Sequence, residues 1–387
     1  MSNVFVTPGL MITGENALDT AASHIAAAGT KALVVTDPTM VKVGNVKRVT
    51  DLLDSLSVGY AVYDGVTGEP NDNMVAEGKK AYLDNGCDFL IAIGGGSPID
   101  TMKAVGAMIT NPGEITDYLG KTISNAAPPT FAVPTTAGTG SEATQFTIIT
   151  DTKRDVKMLL KGEKLIPSVA IVDYRFSMTA PPKVTAATGL DALCHAVESY
   201  TSRKAQPISD LFALEAVKKI FRYLPRAFEN GGDEEAREAM SLAALEAGIA
   251  FNNASVTIIH GMSRPIGALF HVPHGLSNAM LLPNCLEFAL PGAPKRFADL
   301  AFAIGACESG ASQEEAGRAF LARVRELCGT LKIDTPASYG IDRAKFFASI
   351  EKMTQDALAS GSPANTIREV SAQDIKTIYE SLWNGVK

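Results

Sequence analysis

Five short, strongly apolar runs set between amphipathic stretches limit the first half of this chain to one kind of fold. They are KALVVTD (31–37), VGYAVYD (58–64), DFLIAIGGG (88–96), TFAVPTT (130–136) and SVAIVD (168–173). Three of them are almost continuously apolar, the pattern of parallel strands buried on both faces. Helical patterns lie between them near residues 16–28, 44–56, 72–86 and 97–110. This alternation predicts βαβ units in an open parallel sheet. After about Pro181 the character changes. Segments 183–202, 208–228, 234–254, 275–289, 294–306, 312–329, 343–357 and 371–383 are rich in Ala, Leu, Glu and Lys with helical spacing. A chain of 387 residues is too long for one comfortable core. Two domains are therefore expected, an α/β domain over residues 1–180 and an all-helical domain over 181–387.

Charge and cysteine usage narrow the partners. The net charge is −7, whereas nucleic-acid binding calls for a basic face, so no nucleic-acid partner is expected. No apolar run approaches the roughly 18 residues that span a bilayer, so no membrane partner is expected either. The opening MSNVFVTPGLMITG lacks the basic segment and long apolar core of a signal peptide. The cysteines Cys87, Cys194, Cys285, Cys307 and Cys328 are odd in number and form no CxxC. Neither a disulfide framework nor a thiolate zinc site is indicated, and the expected location is a reducing cytoplasm.

Two loops have the composition of a phosphate cradle. In DFLIAIGGGSPID, Gly94, Gly95 and Gly96 follow a buried strand and leave no side chain to obstruct a ligand. Ser97 is placed to cap the following helix, with Pro98 at its first position and Asp100 where a capping residue reaches back. A phosphate would find free N–H groups and the positive end of the helix dipole there. A tight βα turn without a ligand explains the glycines equally well, and the pattern is not G-x-G-x-x-G. The second loop, PTTAGTGSE (134–142), offers Thr135, Thr136 and Thr139 to line a phosphate or ribose. Asp37, ending an early strand, is suited to a ribose and would repel a 2′-phosphate, which favours NAD over NADP.

The histidines cluster. Asp191 and His195 stand at i and i+4 in GLDALCHAVESY, and Glu198 continues that helix face at i+7. They read either as a solvent-facing pair or as half of a metal site. His260 and His274 are 14 residues apart, about 21 Å along one straight helix. Pro265, Gly267, Pro273 and Gly275 predict a break that would let both approach Asp191 and His195. One carboxylate and three imidazoles suit zinc or ferrous iron.

GGGSPID, PTTAGTGSE, ATGLDALCHAVE and HG…HVPHG, in this order and over essentially the whole chain, resemble the iron-containing (group III) alcohol dehydrogenase family. The resemblance implies a dehydroquinate synthase-like architecture with a dinucleotide-binding N-terminal domain, a helical metal-binding and catalytic C-terminal domain, and a divalent metal in the cleft. It places the metal, Fe2+ with Zn2+ as the alternative, on Asp191, His195, His260 and His274. It places NAD(H) contacts on Asp37, Asn71, Gly96, Ser97, Thr135, Thr139 and Lys157. The implied activity is hydride transfer between nicotinamide and a short-chain aldehyde or alcohol.

Two features depart from the family. Arg264 stands where many members carry a second histidine four residues after the third ligand. Arginine cannot relay protons near neutral pH but can bind an anionic group bidentately. Contact with cofactor phosphate, or a side chain that snorkels outward, is the other reading. His271 is the remaining candidate for a proton relay, with a packing role as the other reading. Phe146 replaces a polar residue of some relatives near the substrate, and Phe251 adds a second apolar wall. GSPANTIRE (361–369) could close the pocket over a polar tail. The expected substrate is a short-chain aldehyde or alcohol, with Arg264 pointing to one that carries a carboxylate or sulfonate. A metal-dependent lyase or hydrolase, a zinc glycerol dehydrogenase, a metal-free maleylacetate reductase and a non-catalytic nucleotide-binding protein remain as alternatives. The expected assembly is a homodimer or higher homo-oligomer.

Overall fold

Strand DFLIAIGGG shows why the first half folds as it does. In the computed structural model, which describes residues 2–308 and 310–384, Phe89, Leu90, Ile91, Ala92 and Ile93 are all fully buried. Leu90 and Ala92 join a core that includes Leu33, Val35 and Met102, whereas Phe89, Ile91 and Ile93 join another with Ala32, Val34 and Phe131. Alternate side chains thus serve two layers, and no polar position is tolerated on either face.

One compact unit spans Val6–Ala180. Its strands are β1 (Leu10–Thr13), β2 (Lys31–Val35), β3 (Gly59–Tyr63), β4 (Phe89–Gly94), β5 (Thr130–Pro134), β6 (Phe146–Asp151), β7 (Val156–Lys161) and β8 (Val169–Val172). Six form one sheet in the order β1-β8-β5-β4-β2-β3, every pair parallel. The path runs from β2 outward to β3, returns to β4 on the other side of β2, and continues away through β5 and β8. The order therefore reverses between β2 and β4, and the crevice beyond their C-terminal ends is where open α/β sheets bind ligands. Asp37 and the glycines 94–96 follow those two ends.

The antiparallel β6–β7 hairpin and edge strand β1 lie outside the sequence expectation. Both are half-exposed, with alternating burial instead of continuous apolar runs. The expected helix at 16–28 is two short helices, Ala17–Thr20 and Ala22–Ala28.

The other unit takes the chain from Pro181 onward together with the segment that ends at Phe5. Phe5 stacks on Phe212 at 6.0 Å between ring centroids, and Gln206 Nε2 donates to the Val4 carbonyl. This unit is helical. Its centre is the Pro182–Tyr200 helix, which is almost wholly buried from Gly189 to its end. A Cβ on Gly189 would stand 2.4 Å from Leu224, so glycine lets the Pro207–Glu229 helix pack close. The Glu234–Ala254 and Ile258–Phe270 helices meet at a bend of 106°. Ser255 takes a positive φ (67) at the corner, an uncommon backbone for a residue other than glycine. No single helix among the described residues is long and apolar enough to cross a membrane.

Candidate functional site

Burial decides between the two readings of the Asp191/His195 pair. Asp191 is 1% exposed and His195 4%, so the pair does not face solvent. A helical turn aligns them, and the 106° bend turns the next helix so that His260 meets them. Candidate ligand atoms of Asp191, His195 and His260 all lie within 4.8 Å of one another. His274 completes the set, its Nε2 3.8 Å from Asp191 Oδ1. The rings stand close, His195 to His260 at 4.5 Å and His260 to His274 at 5.3 Å.

The chain brings His274 in by a break at one place only. The Ile258–Phe270 helix continues through Pro265 and Gly267, and ends at His271. His271 adopts the left-handed conformation (φ 55) that closes many helices, and it is exposed. Its place at the helix end is accounted for by the backbone turn. His274 then opens the His274–Ala289 helix. A Cβ on Gly275 would stand 2.7 Å from the Ala187 carbonyl oxygen, so only glycine allows this helix to lie so close to the one that carries Asp191.

Electrostatics favour a cation among these groups. Burial would push the Asp191 carboxyl up, but the imidazoles of His195, His274 and His260 outweigh it and hold it well below the ordinary range. Burial brings His195 down to about 3, which keeps it neutral with a lone pair to offer. Burial also opposes a charge on His260, but Glu198 overrides it and raises that imidazole to about 9. The Asn278 amide nitrogen sits among the acceptors, 2.6 Å from Asp191 Oδ1, 3.1 Å from His260 Nε2 and 3.2 Å from His274 Nε2. One carboxylate, the neutral His195 and the imidazoles of His260 and His274 converge on one point, and a divalent ion such as Fe2+ or Zn2+ would take the place of the extra proton on His260.

Two residues here were not assigned a role from the sequence. Asn278 follows His274 by four residues, and that spacing was the available signal. Glu198, seen only as continuing the Asp191/His195 face, is 1% exposed. One of its oxygens accepts from the N–H of Thr257 (3.0 Å), the Thr257 hydroxyl (2.7 Å) and the N–H of Ile259 (2.7 Å); the other contacts His260 Nδ1.

Around this centre, Phe251 stacks on His195 at 4.1 Å, close to parallel, so it shields the imidazole from one side. Arg264 lies one helical turn beyond His260. Its Nε is buried without a hydrogen-bond partner, and Nη1 donates to Ser362 Oγ at 3.3 Å. Burial lowers its pKa, opposed by the charge of Glu198. The 361–369 segment is held against this helix, since a Cβ on Gly261 would stand 2.7 Å from Pro363. Phe146 belongs to the other unit, where its carbonyl accepts from Lys103 and its ring faces Lys161 Nζ at 5.6 Å.

In the α/β unit, the glycine and threonine loops meet. The Thr135 N–H donates to the Gly94 carbonyl at 2.9 Å, and a Cβ on Gly96 would stand 3.0 Å from Thr139. Gly94 is required by Pro98, which a Cβ would approach to 2.4 Å. The helix begins at Gly96 with Gly95 before it, so Ser97 does not cap it as expected. Asp100 does not reach back either; its oxygens accept from the Ser141 hydroxyl and the Ile148 N–H, tying the helix to the threonine loop and the hairpin. Thr135 Oγ1 and Thr136 Oγ1 are buried without hydrogen-bond partners. Orphaned hydroxyls beside a glycine turn at the switch point of the sheet fit the phosphates or ribose of a dinucleotide. The other expected contacts have protein partners. Asp37 caps the Pro38–Lys42 helix through Thr39 and Met40, Asn71 caps the Asp72–Asp84 helix through Met74, and Lys157 pairs with Glu69.

Comparison with known proteins matches both halves. The model of the iron-containing alcohol dehydrogenases matches residues 8–174, and that of the C-terminal region of the Fe-containing alcohol dehydrogenase family matches residues 185–383. The NAD-dependent methanol dehydrogenase of Bacillus methanolicus is 36% identical over 384 residues, covering 98% of this chain and 100% of the relative. The crystal structure of a 1,3-propanediol oxidoreductase superposes with a TM-score of 0.96 at 34% identity, over 99% of this chain and 100% of that one. Sulfoacetaldehyde reductase from Bifidobacterium kashiwanohense, solved in complex with NAD+, superposes with a TM-score of 0.86 at 28% identity, over 99% of each chain.

Proposed function

The chain belongs to the iron-containing alcohol dehydrogenase family of oxidoreductases, and from that premise we propose that it is a divalent-metal, NAD(H)-linked enzyme interconverting a short-chain anionic aldehyde and its alcohol. The observation that carries the reading is the convergence of Asp191, His195, His260 and His274. The methanol dehydrogenase among its relatives is NAD-dependent by name, and the two orphaned threonine hydroxyls support a dinucleotide at the sheet.

Asp191, His195, His260 and His274 would hold a divalent ion, Fe2+ by family and Zn2+ by ligand type, which would supply Lewis acidity. NAD(H) supplies the hydride. The residues of this chain do the rest. Phe251, flat against His195, keeps water from that side of the imidazole and offers an apolar surface to a short carbon chain. Asp191 and Glu198 together match the charge of a divalent ion, which leaves the positive charge of Arg264 without a counterpart. A buried guanidinium in that condition costs several kcal/mol unless an anion meets it. Its free Nε and the Ser362 contact on Nη1 would orient the fork toward a carboxylate or sulfonate.

Kinetics with propanal, succinate semialdehyde and sulfoacetaldehyde test this reading. Loss of a buried charge-assisted pair costs about 3 kcal/mol. Arg264→Ala is therefore expected to lower kcat/KM for the preferred anionic aldehyde by about 100-fold, at 1.36 kcal/mol per decade, and that for propanal by less than tenfold. Equal losses on all three substrates would contradict the anionic assignment.

A further inference from the structure

We infer that Glu198 is a positioning residue for the metal centre, fixing the tautomer in which His260 offers Nε2 to the cation. This rests on the metal reading above and goes beyond it, since Glu198 is not among the four donors. The Ile258–Phe270 helix has no side-chain cap of its own at Thr257. Its first N–H groups and the Thr257 hydroxyl are met by one oxygen of Glu198, which reaches across from the Pro182–Tyr200 helix. A carboxylate at a helix N-terminus satisfies orphan donors and complements the dipole. That anchorage leaves the second oxygen with one neighbour, His260 Nδ1. An ionised carboxylate only accepts, so Nδ1 keeps its proton, and the proton that a cation displaces comes off Nε2, the nitrogen that faces Asp191 and Asn278. His195 has no such support, because its Nδ1 is buried without a partner. One carboxylate thus sets both where His260 sits, through the helix start, and which nitrogen it presents.

Glu198→Gln separates these two tasks. The amide oxygen can keep the Thr257 and Ile259 donors, so the helix stays anchored. The amide N–H2 then faces His260 Nδ1 and turns it into the acceptor, which puts the proton on Nε2, where it blocks ligation. The full-length chain, freed of metal, is titrated with Co2+ and followed by its visible ligand-field bands. Wild type is expected to bind one equivalent tightly. Glu198→Gln is expected to bind about 10- to 100-fold more weakly with altered bands, at an unchanged metal-free melting temperature. Thr257→Val, which removes one donor to the anchoring oxygen and leaves the tautomer alone, is expected to bind Co2+ as wild type does. Wild-type affinity and spectrum in Glu198→Gln would overturn the inference and leave the metal reading intact. Wild type that binds no Co2+ would overturn both. If Glu198→Gln fails to fold, nitrogen NMR of the five histidines in the zinc-loaded wild type decides the same point. A proton on His260 Nδ1 supports the inference, and a proton on Nε2 overturns it.

Discussion

Asp191→Asn is expected to lower turnover by at least about a thousandfold and to abolish tight metal binding, with the fold retained. Asp191 is the one carboxylate among the four converging donors, and the three imidazoles around it hold it ionised against the effect of burial. Replacing it by an amide removes the negative charge that would balance the ion and leaves the neutral imidazoles to hold a dication alone. Lewis-acid stabilisation supplies several kcal/mol of barrier lowering. A loss of about 4 kcal/mol corresponds to about three decades in rate. Metal content per chain and steady-state turnover check this together. Full metal occupancy with turnover within tenfold of wild type would remove Asp191 from the centre.

Gly275→Ala is the second large effect, and its sign is not what helix propensity alone gives. Alanine in place of glycine inside a helix gains up to about 1 kcal/mol. Here the added Cβ would lie 2.7 Å from the Ala187 carbonyl oxygen and 3.4 Å from Asp191 Cβ. The backbone oxygen cannot rotate away as a side chain would, so the whole His274–Ala289 helix must shift. Overpacking of this kind costs about 1–3 kcal/mol, which exceeds the propensity gain. The shift also moves His274 off Asp191, and a misplacement of about 1 Å in a catalytic constellation costs about 100-fold in rate. The expected result is a melting temperature lower by a few degrees and kcat/KM lower by about 100-fold. Calorimetry and kinetics on one preparation read both, and a variant as stable and as active as wild type would contradict the packing described.

Burial symmetry explains what was legible in the sequence. The strands 89–94 and 130–134 serve cores on both faces, so their apolar runs are unbroken and plain to read. Edge strand β1 and the β6–β7 hairpin expose alternate residues, and short alternating stretches resemble ordinary surface loops. Asp191 and His195 were legible because one helical turn aligns them. The approach of His260 and His274 was legible from the break that Pro273 and Gly275 predict, but the bend at Ser255 that brings His260 to Asp191 was not. The same bend hides the task of Glu198, whose partners lie 59 to 62 residues further on. Asp37 and Asn71 show a different limit. A polar residue after a strand can cap the next helix or hold a ligand, and composition does not separate the two. His271 sits at a left-handed turn that asparagine or glycine usually fills, a backbone position that its side-chain chemistry does not announce.

Metal dependence separates a metal-centred hydride-transfer enzyme from every alternative reading of this site. The full-length chain is stripped with a chelator, reconstituted anaerobically with one equivalent of Fe2+ or Zn2+, and assayed for NADH oxidation with succinate semialdehyde and sulfoacetaldehyde. Negligible oxidation by the stripped protein is expected, with recovery in proportion to metal bound and with Asp191→Asn recovering neither metal nor activity; this is the behaviour of a metal-dependent dehydrogenase. Equal NADH oxidation by stripped and reconstituted protein would contradict it.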